Sequence, residues 1–365
     1  MIKKIKDKLS NLISIENWFT FLRLALAIGI AFMIAYVLMV SISETPWEDF
    51  LTMILEPLTS KMRRAQIINK FIPFLFTGAA VCMFNSAGQI STSAEGCFYF
   101  AGVAATAVAM IDGIPAYIHI PLCLIVAGLV GGLIAVIPVF MNVRYGIITI
   151  VASLLVNNVF LYLGQYLITN PLRDPQAGYE ASYKFAESTI LPKLFGNRLI
   201  HIGLIIGLVV VLLAYLILYK TSFGASVRTV GFNRFFSKFS GISVMKYSCL
   251  SALVGGAFAG IGGTVEVLGN YERFVYTGIT NHGWNGIVIA VLCKNNPKYA
   301  PLAALFLAYL SVAGDCLNFS TVIPPEIIDI IQPIIIIFVA APLILSKQEH
   351  KAIVKKSQKE LEEVK

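Results

Sequence analysis

Long apolar runs, broken by short polar or charged segments, constrain this chain more than any other feature. A helix needs about 20 consecutive apolar residues to cross the hydrocarbon layer of a bilayer, and such runs recur between residues 21 and 345. Of the 365 residues, 57% are hydrophobic and 13% charged, where a soluble chain carries about 25% charge. So little charge cannot clothe a water-facing surface, and the outside of the fold has to face lipid. An all-α, polytopic transmembrane bundle is the expected fold, since a helix satisfies its own backbone inside hydrocarbon.

The first apolar run covers 21–40. The charged stretch after it places Phe50, Leu51, Ile54 and Leu55 on one face, which predicts an amphipathic helix at the membrane interface. Further spans are predicted at 71–87, 97–111, 118–141, 147–168, 199–219, 247–268, 299–317 and 327–345. The short run 286–293 crosses only as part of a broken helix, bringing the total to about ten. Three regions result: a basic cytoplasmic or interfacial segment at 1–20, a membrane domain at 21–346, and a basic cytoplasmic tail at 347–365. The run after the basic start is too long for a signal-peptide core and no small-residue cleavage site follows, so a retained anchor helix is expected.

Charge predicts the orientation. With both termini inside, the N-terminal lysines, Arg144, the 220–246 segment, Lys294, Lys298 and the tail all face the cytoplasm, with Lys61, Arg63 and Arg64 as the exception. The formal charge of +8 lies at the ends of apolar runs and forms no stripe, which argues for a membrane face and against nucleic acid. The six cysteines contain no C-x-x-C pair and the four histidines are scattered, so no metal site is expected.

Three places set polar or Gly-rich sequence at membrane depth, where irregular backbone survives only when protein buries it or it lines a watery cavity. In 87–96, AGQISTSAEG, the polar groups Ser91, Ser93 and Glu95 either line a pathway or form a turn with Glu95 opening the next helix. In 280–297, Trp284 and Asn285 sit between Gly283 and Gly286, which reads as a re-entrant hairpin or as a loop entering a short tilted span. Asn157 and Asn158 lie mid-span, where amides either bond between helices or meet a solute. The 221–246 segment mixes Arg228, Arg234 and Lys238 with five phenylalanines, a concentration that marks a partner surface or a helix lying on the membrane.

Taken together, residues 66–345 resemble the branched-chain amino acid/ribose permease superfamily of ABC importers, and within it the nucleoside-type permeases. TSFGASVRTVGFNRFFSKFSGISV is similar to the family segment that carries the coupling helix, matching at Thr221, Phe223, Gly224, Arg228, Gly231, Asn233, Gly241 and Ile242. LSALVGGAFAGIGGTVEVLGNYERF and HGWNGIVIAVLCKNNP are similar to two further family stretches, and P-L-R in TNPLRDP fits the nucleoside branch. STSAEGC keeps Glu95 and Gly96 of the family's N-I-G-x-E-G-Q but lacks its Asn, its first Gly and its Gln, while Asn285 stands where the family has Asp and Thr149 where it has Glu.

The resemblance implies a permease subunit of an ATP-driven importer, with nucleosides as the first expectation and a sugar or a flavin as the alternative. It implies ABC ATPase subunits, a second and different permease chain, and an extracytoplasmic substrate-binding protein as partners. No G-x-x-x-x-G-K-[ST] phosphate loop is present, so this chain is expected to be no enzyme and to bind no cofactor, ATP being used by the partner. The expected substrate pathway comprises Ser91, Ser93, Glu95, Asn157, Trp284 and Asn285. Arg228, Gly231, Asn233, Arg234 and Phe236 are expected to contact the ATPase. An ion-coupled secondary transporter is the rival reading, weakened by the scarcity of deep acidic residues.

Overall fold

The computed structural model describes residues 45–194, 196 and 199–320, together with positions 33, 36, 37, 39, 40, 43, 333 and 334. The 1–20 segment, most of the first predicted span, all of the last span at 327–345 except positions 333 and 334, and the 347–365 tail lie outside the described residues. Among the described residues the regular structure is helical, with two isolated bridges, Arg173 to Ser182 and Lys193 to His201. The helices are α1 (Pro46–Thr59), α2 (Lys61–Ser86), α3 (Ala94–Ala109), α4 (Ala116–Tyr145), α5 (Thr149–Thr169) and α6 (Gly203–Lys220). They continue as α7 (Ser222–Phe232), α8 (Arg234–Phe239), α9 (Val244–Asn270), α10 (His282–Leu292) and α11 (Ala300–Ser320).

Six of these, α2, α4, α5, α6, α9 and α11, are long and apolar enough to cross a membrane, whereas α3 and α10 are apolar but shorter. Every run predicted between residues 71 and 317 falls on one of them. The largest shift is at α2, which begins at Lys61, before its apolar run, because the Ser60 hydroxyl accepts from Met62 N at 3.2 Å and caps a basic first turn.

The chain divides into two units, one of residues 57–312 and one of the residues on either side of it. In the latter, most of α1 covers the predicted amphipathic stretch, with Glu48 and Asp49 favourably placed in its first turn. Ser43 donates to the Asp49 carboxylate, and Tyr36, Trp47 and Phe50 meet at ring-centroid distances of 5.5–6.1 Å.

In the 57–312 unit, α9 is the axis, packed against α2, α3 and α4. Its small residues make that possible. A Cβ on Gly256 would collide with the backbone of Gly131 in α4, and one on Gly263 with the Phe98 carbonyl in α3. Backbones this close gain dispersion contacts that no larger residue permits. Leu129, Leu133, Leu155 and Leu212 point away from the unit, exposed by more than half, which suits a lipid-facing wall.

Residues 170–202 pack across one end of the bundle, where Ala186 N donates to Ala109 O (2.9 Å), Leu191 N to Leu268 O (3.1 Å), and Arg273 pairs with Asp174 (3.1 Å). The α7–α8 pair lies at the other end, beside Ser86 and Gly88 at the close of α2.

Two crossings between these ends are half helix and half extended chain. From Gly88 the chain climbs without helix to Ala94, and α3 then runs to the 170–202 end. From Asn270 it descends past Tyr99, whose hydroxyl donates to Tyr276 O (3.2 Å), and becomes helical at His282. From there α10 follows α2, pairing Phe74 with His282, Cys82 with Cys293 (3.5 Å) and Asn85 with Asn295 (2.8 Å). The 280–297 stretch therefore crosses and does not fold back as a hairpin. Gly286 and Gly283, whose Cβ atoms would meet Thr77 and Glu95, let it pass between α2 and α3.

Candidate substrate cleft and coupling surface

The amino ends of α3 and α10 meet on Glu95. Its Oε1 accepts from Thr280 N (2.8 Å), Thr280 Oγ1 (2.7 Å) and Asn281 N (2.9 Å), and its Oε2 from Gly283 N (2.7 Å). Asn281, the residue preceding α10, has φ of 62° and makes no side-chain cap of its own. Glu95, 4% exposed, thus caps a helix that begins far away in sequence while standing in the first turn of its own. Both positions favour a negative charge, because the free N–H groups of a helix start carry the positive end of its dipole.

Asn157 of α5 holds the other side. It accepts from Gly96 N (3.1 Å) and donates to Thr92 O (2.9 Å). Ser153 Oγ meets Thr92 at both N (3.1 Å) and Oγ1 (2.9 Å), and Thr149 donates to Gln89 Oε1 (2.7 Å). One face of α5 therefore fixes the non-helical 88–94 segment, partnering Thr92 and the Gln89 side-chain oxygen, while the buried Gln89 Nε2 is left without a partner among the described residues.

A small cleft of about 80 Å³ opens between these elements, lined by Glu95, Gly96, Tyr99, Leu154, Asn157, Asn158, Leu161, Ile279 and Trp284. Of the six expected pathway residues, Glu95, Asn157 and Trp284 border it. Ser91 and Ser93 are buried and bonded to each other at 2.7 Å, turning the chain below it. Asn285 lies half-buried one position on from Trp284 and outside the lining. Tyr99, Leu154, Leu161 and Ile279 carried no signal in the sequence. Asn158 did, as the mid-span amide beside Asn157, and it is exposed with its Nδ2 on Leu154 O (3.0 Å). Trp284, 42% exposed, presents ring surface to the opening.

Below the cleft, α7 and α8 form the expected coupling segment. Thr221 caps α7 through Gly224 N (3.0 Å), and Asn233 caps α8 through Phe236 N (3.0 Å). Arg228 turns inward, its guanidinium 4.6 Å from the Tyr219 ring centroid. A Cβ on Gly231 would collide with Ser86 O, and Arg234 donates to Gly88 O (3.3 Å), with Gly88 itself at φ +67°. Phe232, Phe235, Phe236 and Phe239 remain exposed, by 60% to 91%.

Among the described residues, no three His, Cys, Asp or Glu side chains are grouped to hold a metal ion. The Cys82 and Cys293 thiols touch inside the core, and Cys97, Cys123 and Cys316 are buried too.

Apolar helices in this number, two of them half-length and meeting at their amino ends beside a cleft, define a multi-pass membrane permease. The chain belongs to the branched-chain amino acid transport system permease component family, whose pattern it matches over residues 63–340. It is similar to the guanosine ABC transporter permease protein NupP of Bacillus subtilis, 33% identical over 282 residues, 76% of this chain and 80% of that one. It is similar also to the glucose ABC transporter permease protein TsgB13 of Haloferax volcanii, 28% identical over 89% of this chain and 88% of that one. The nucleoside ABC transporter permease protein NupB of Lactococcus lactis is 24% identical over 90% of this chain and 92% of that one. The chain is accordingly the membrane-spanning permease subunit of an ABC importer in the cell membrane, and ATP hydrolysis belongs to a separate subunit.

Proposed function

We infer that this subunit carries nucleosides inward, and that the cleft beside Glu95 is its part of the route. The observation that supports nucleosides most is the 33% identity with a guanosine permease over three quarters of the chain, joined by likeness to a second nucleoside permease. The cleft chemistry agrees: Trp284 offers a face for a base to stack on, and Asn158 offers an amide donor and acceptor. Glucose is the second reading, favoured by the likeness to TsgB13.

In this reading about ten spans cross the membrane with both termini inside. The partners are two ATPase subunits, a second and different permease chain, and an extracytoplasmic binding protein that delivers the solute. The four exposed phenylalanines of α7–α8 seat in the ATPase, while Gly231 and Arg234 pass its movement to Ser86 and Gly88. From Gly88 the 88–94 segment leads directly to the floor of the cleft. ATP then favours one of two arrangements of the half-helices, shifting an existing equilibrium.

Uptake of labelled guanosine by cells with and without the gene tests the substrate. Loss of guanosine uptake on deletion, restored by the plasmid-borne gene and blocked by unlabelled nucleosides but not by glucose, is expected. Competition by glucose alone would reverse the assignment.

A further inference from the structure

We propose that Glu95 makes the cleft a charge filter, admitting uncharged solutes and turning away those that carry phosphate or carboxylate. This rests on the reading that the cleft lies on the solute's route.

Converging helix amino ends ordinarily form an anion site, since their free N–H groups and dipoles favour negative charge. Here the anion is built in. The Glu95 carboxylate takes the N–H groups of Thr280, Asn281 and Gly283 together with the Thr280 hydroxyl, accepting four bonds and donating none. Donors that would grip a phosphate are thereby spent, and a fixed acid is left at the cleft wall. Among the described residues no basic side chain lines the cleft to offset it: the other lining groups are Gly96, two asparagines, two aromatic rings and three aliphatic residues. Asn157 has its oxygen on Gly96 N and its amide on Thr92 O, so it too has little left for an anion.

A solute in this cleft therefore meets an aromatic face, the Asn158 amide and a carboxylate. Neutral donors such as sugar hydroxyls and base N–H groups fit that set, because among the described residues Oε2 accepts only one bond. A single negative charge about 8 Å from Glu95 is disfavoured roughly thirtyfold in affinity at an effective dielectric constant of about 20, and a phosphate monoester, with about −1.5 to −2 charges, is disfavoured more strongly still.

The test uses the full-length chain in lipid nanodiscs, with Trp18→Phe and Trp47→Phe leaving Trp284 as the single fluorescent reporter. Guanosine and guanosine 5′-monophosphate are titrated separately. Guanosine is expected to quench saturably, with the monophosphate at least tenfold weaker. Asn158→Lys adds a cation at the rim without touching the Glu95 bonds, and is expected to shrink that ratio to about threefold or less. Glu95→Gln is expected to shrink it as well. Equal affinity for the two ligands in the parent overturns the filter and leaves the cleft reading standing. A ratio that persists undiminished in Asn158→Lys also overturns the filter, since exclusion then comes from shape. Failure of guanosine to quench the folded parent overturns the cleft reading, and the filter with it.

Discussion

Replacing Glu95 by alanine removes the partner of three backbone N–H groups and one hydroxyl in a single step. Each donor left unpaired in a buried place costs about 1–3 kcal/mol. Water entering through the cleft can reach some of the four, so the loss is expected at about 3–5 kcal/mol, near the low end of that sum. Glu95→Gln retains an oxygen for Thr280 and Asn281 but turns an amide NH₂ towards Gly283 N, where two donors then face each other. Its cost is expected at about 1–3 kcal/mol, the price of one unpaired buried donor. Thermal unfolding in detergent is readable with a thiol-reactive dye, because Cys82, Cys97, Cys123 and Cys293 are buried and become reactive only as the bundle opens. The expected order of melting temperature is parent, then Gln, then Ala. If Glu95→Ala melts with the parent, the carboxylate does not hold the start of α10 and the geometry of the cleft floor is misread.

Gly231→Val presses a branched side chain into Ser86 O, at about 1–3 kcal/mol of overpacking. The protein is expected to purify intact while solute uptake falls at least tenfold, measured in the same cells; unchanged uptake would show that the contact with α2 carries nothing. Asn157→Leu removes the clamp on Gly96 and Thr92 and is expected to lower the melting temperature about as much as Glu95→Gln, whereas Asn158→Leu, on an exposed amide, is expected to leave it unchanged. His201 is buried between Gly203 and Gly269, and desolvation first, then the nearby Lys193 ammonium, depresses its pKa from 6.5 to about 4. Between those values the unfolded chain binds a proton that the folded chain refuses, so stability falls as pH drops from about 6.5 to about 4, by about 3 kcal/mol in all. Melting temperatures across that range test it, and His201→Gln is expected to flatten the slope.

The spans were legible because length and apolarity are written directly in the runs, and each run between 71 and 317 became a helix. The start of α2 was not, since a capped basic turn is as helical as an apolar one but carries no hydropathy. Glu95 stood out as an acid at membrane depth, yet its role depends on donors at 280–283, and no periodicity connects residues so far apart. Ser91 and Ser93 looked equally polar, but their hydroxyls bond to each other and take no part in the cleft lining. In the coupling segment the number of phenylalanines was visible, whereas the inward turn of Arg228 onto Tyr219 depended on where α6 ends. Tyr99 and Leu161 reach the cleft only through helix packing, which leaves no local mark.

Purifying the tagged chain from its native membrane and identifying what remains bound tests whether an ATPase drives this permease through α7–α8. An ABC ATPase is expected to be recovered with it, and to be lost when Phe235 and Phe239, 79% and 89% exposed, are both changed to serine. The same doubly changed chain is expected to melt like the parent, because neither ring is packed. Recovery of the intact, folded parent chain without any ATPase would contradict the account.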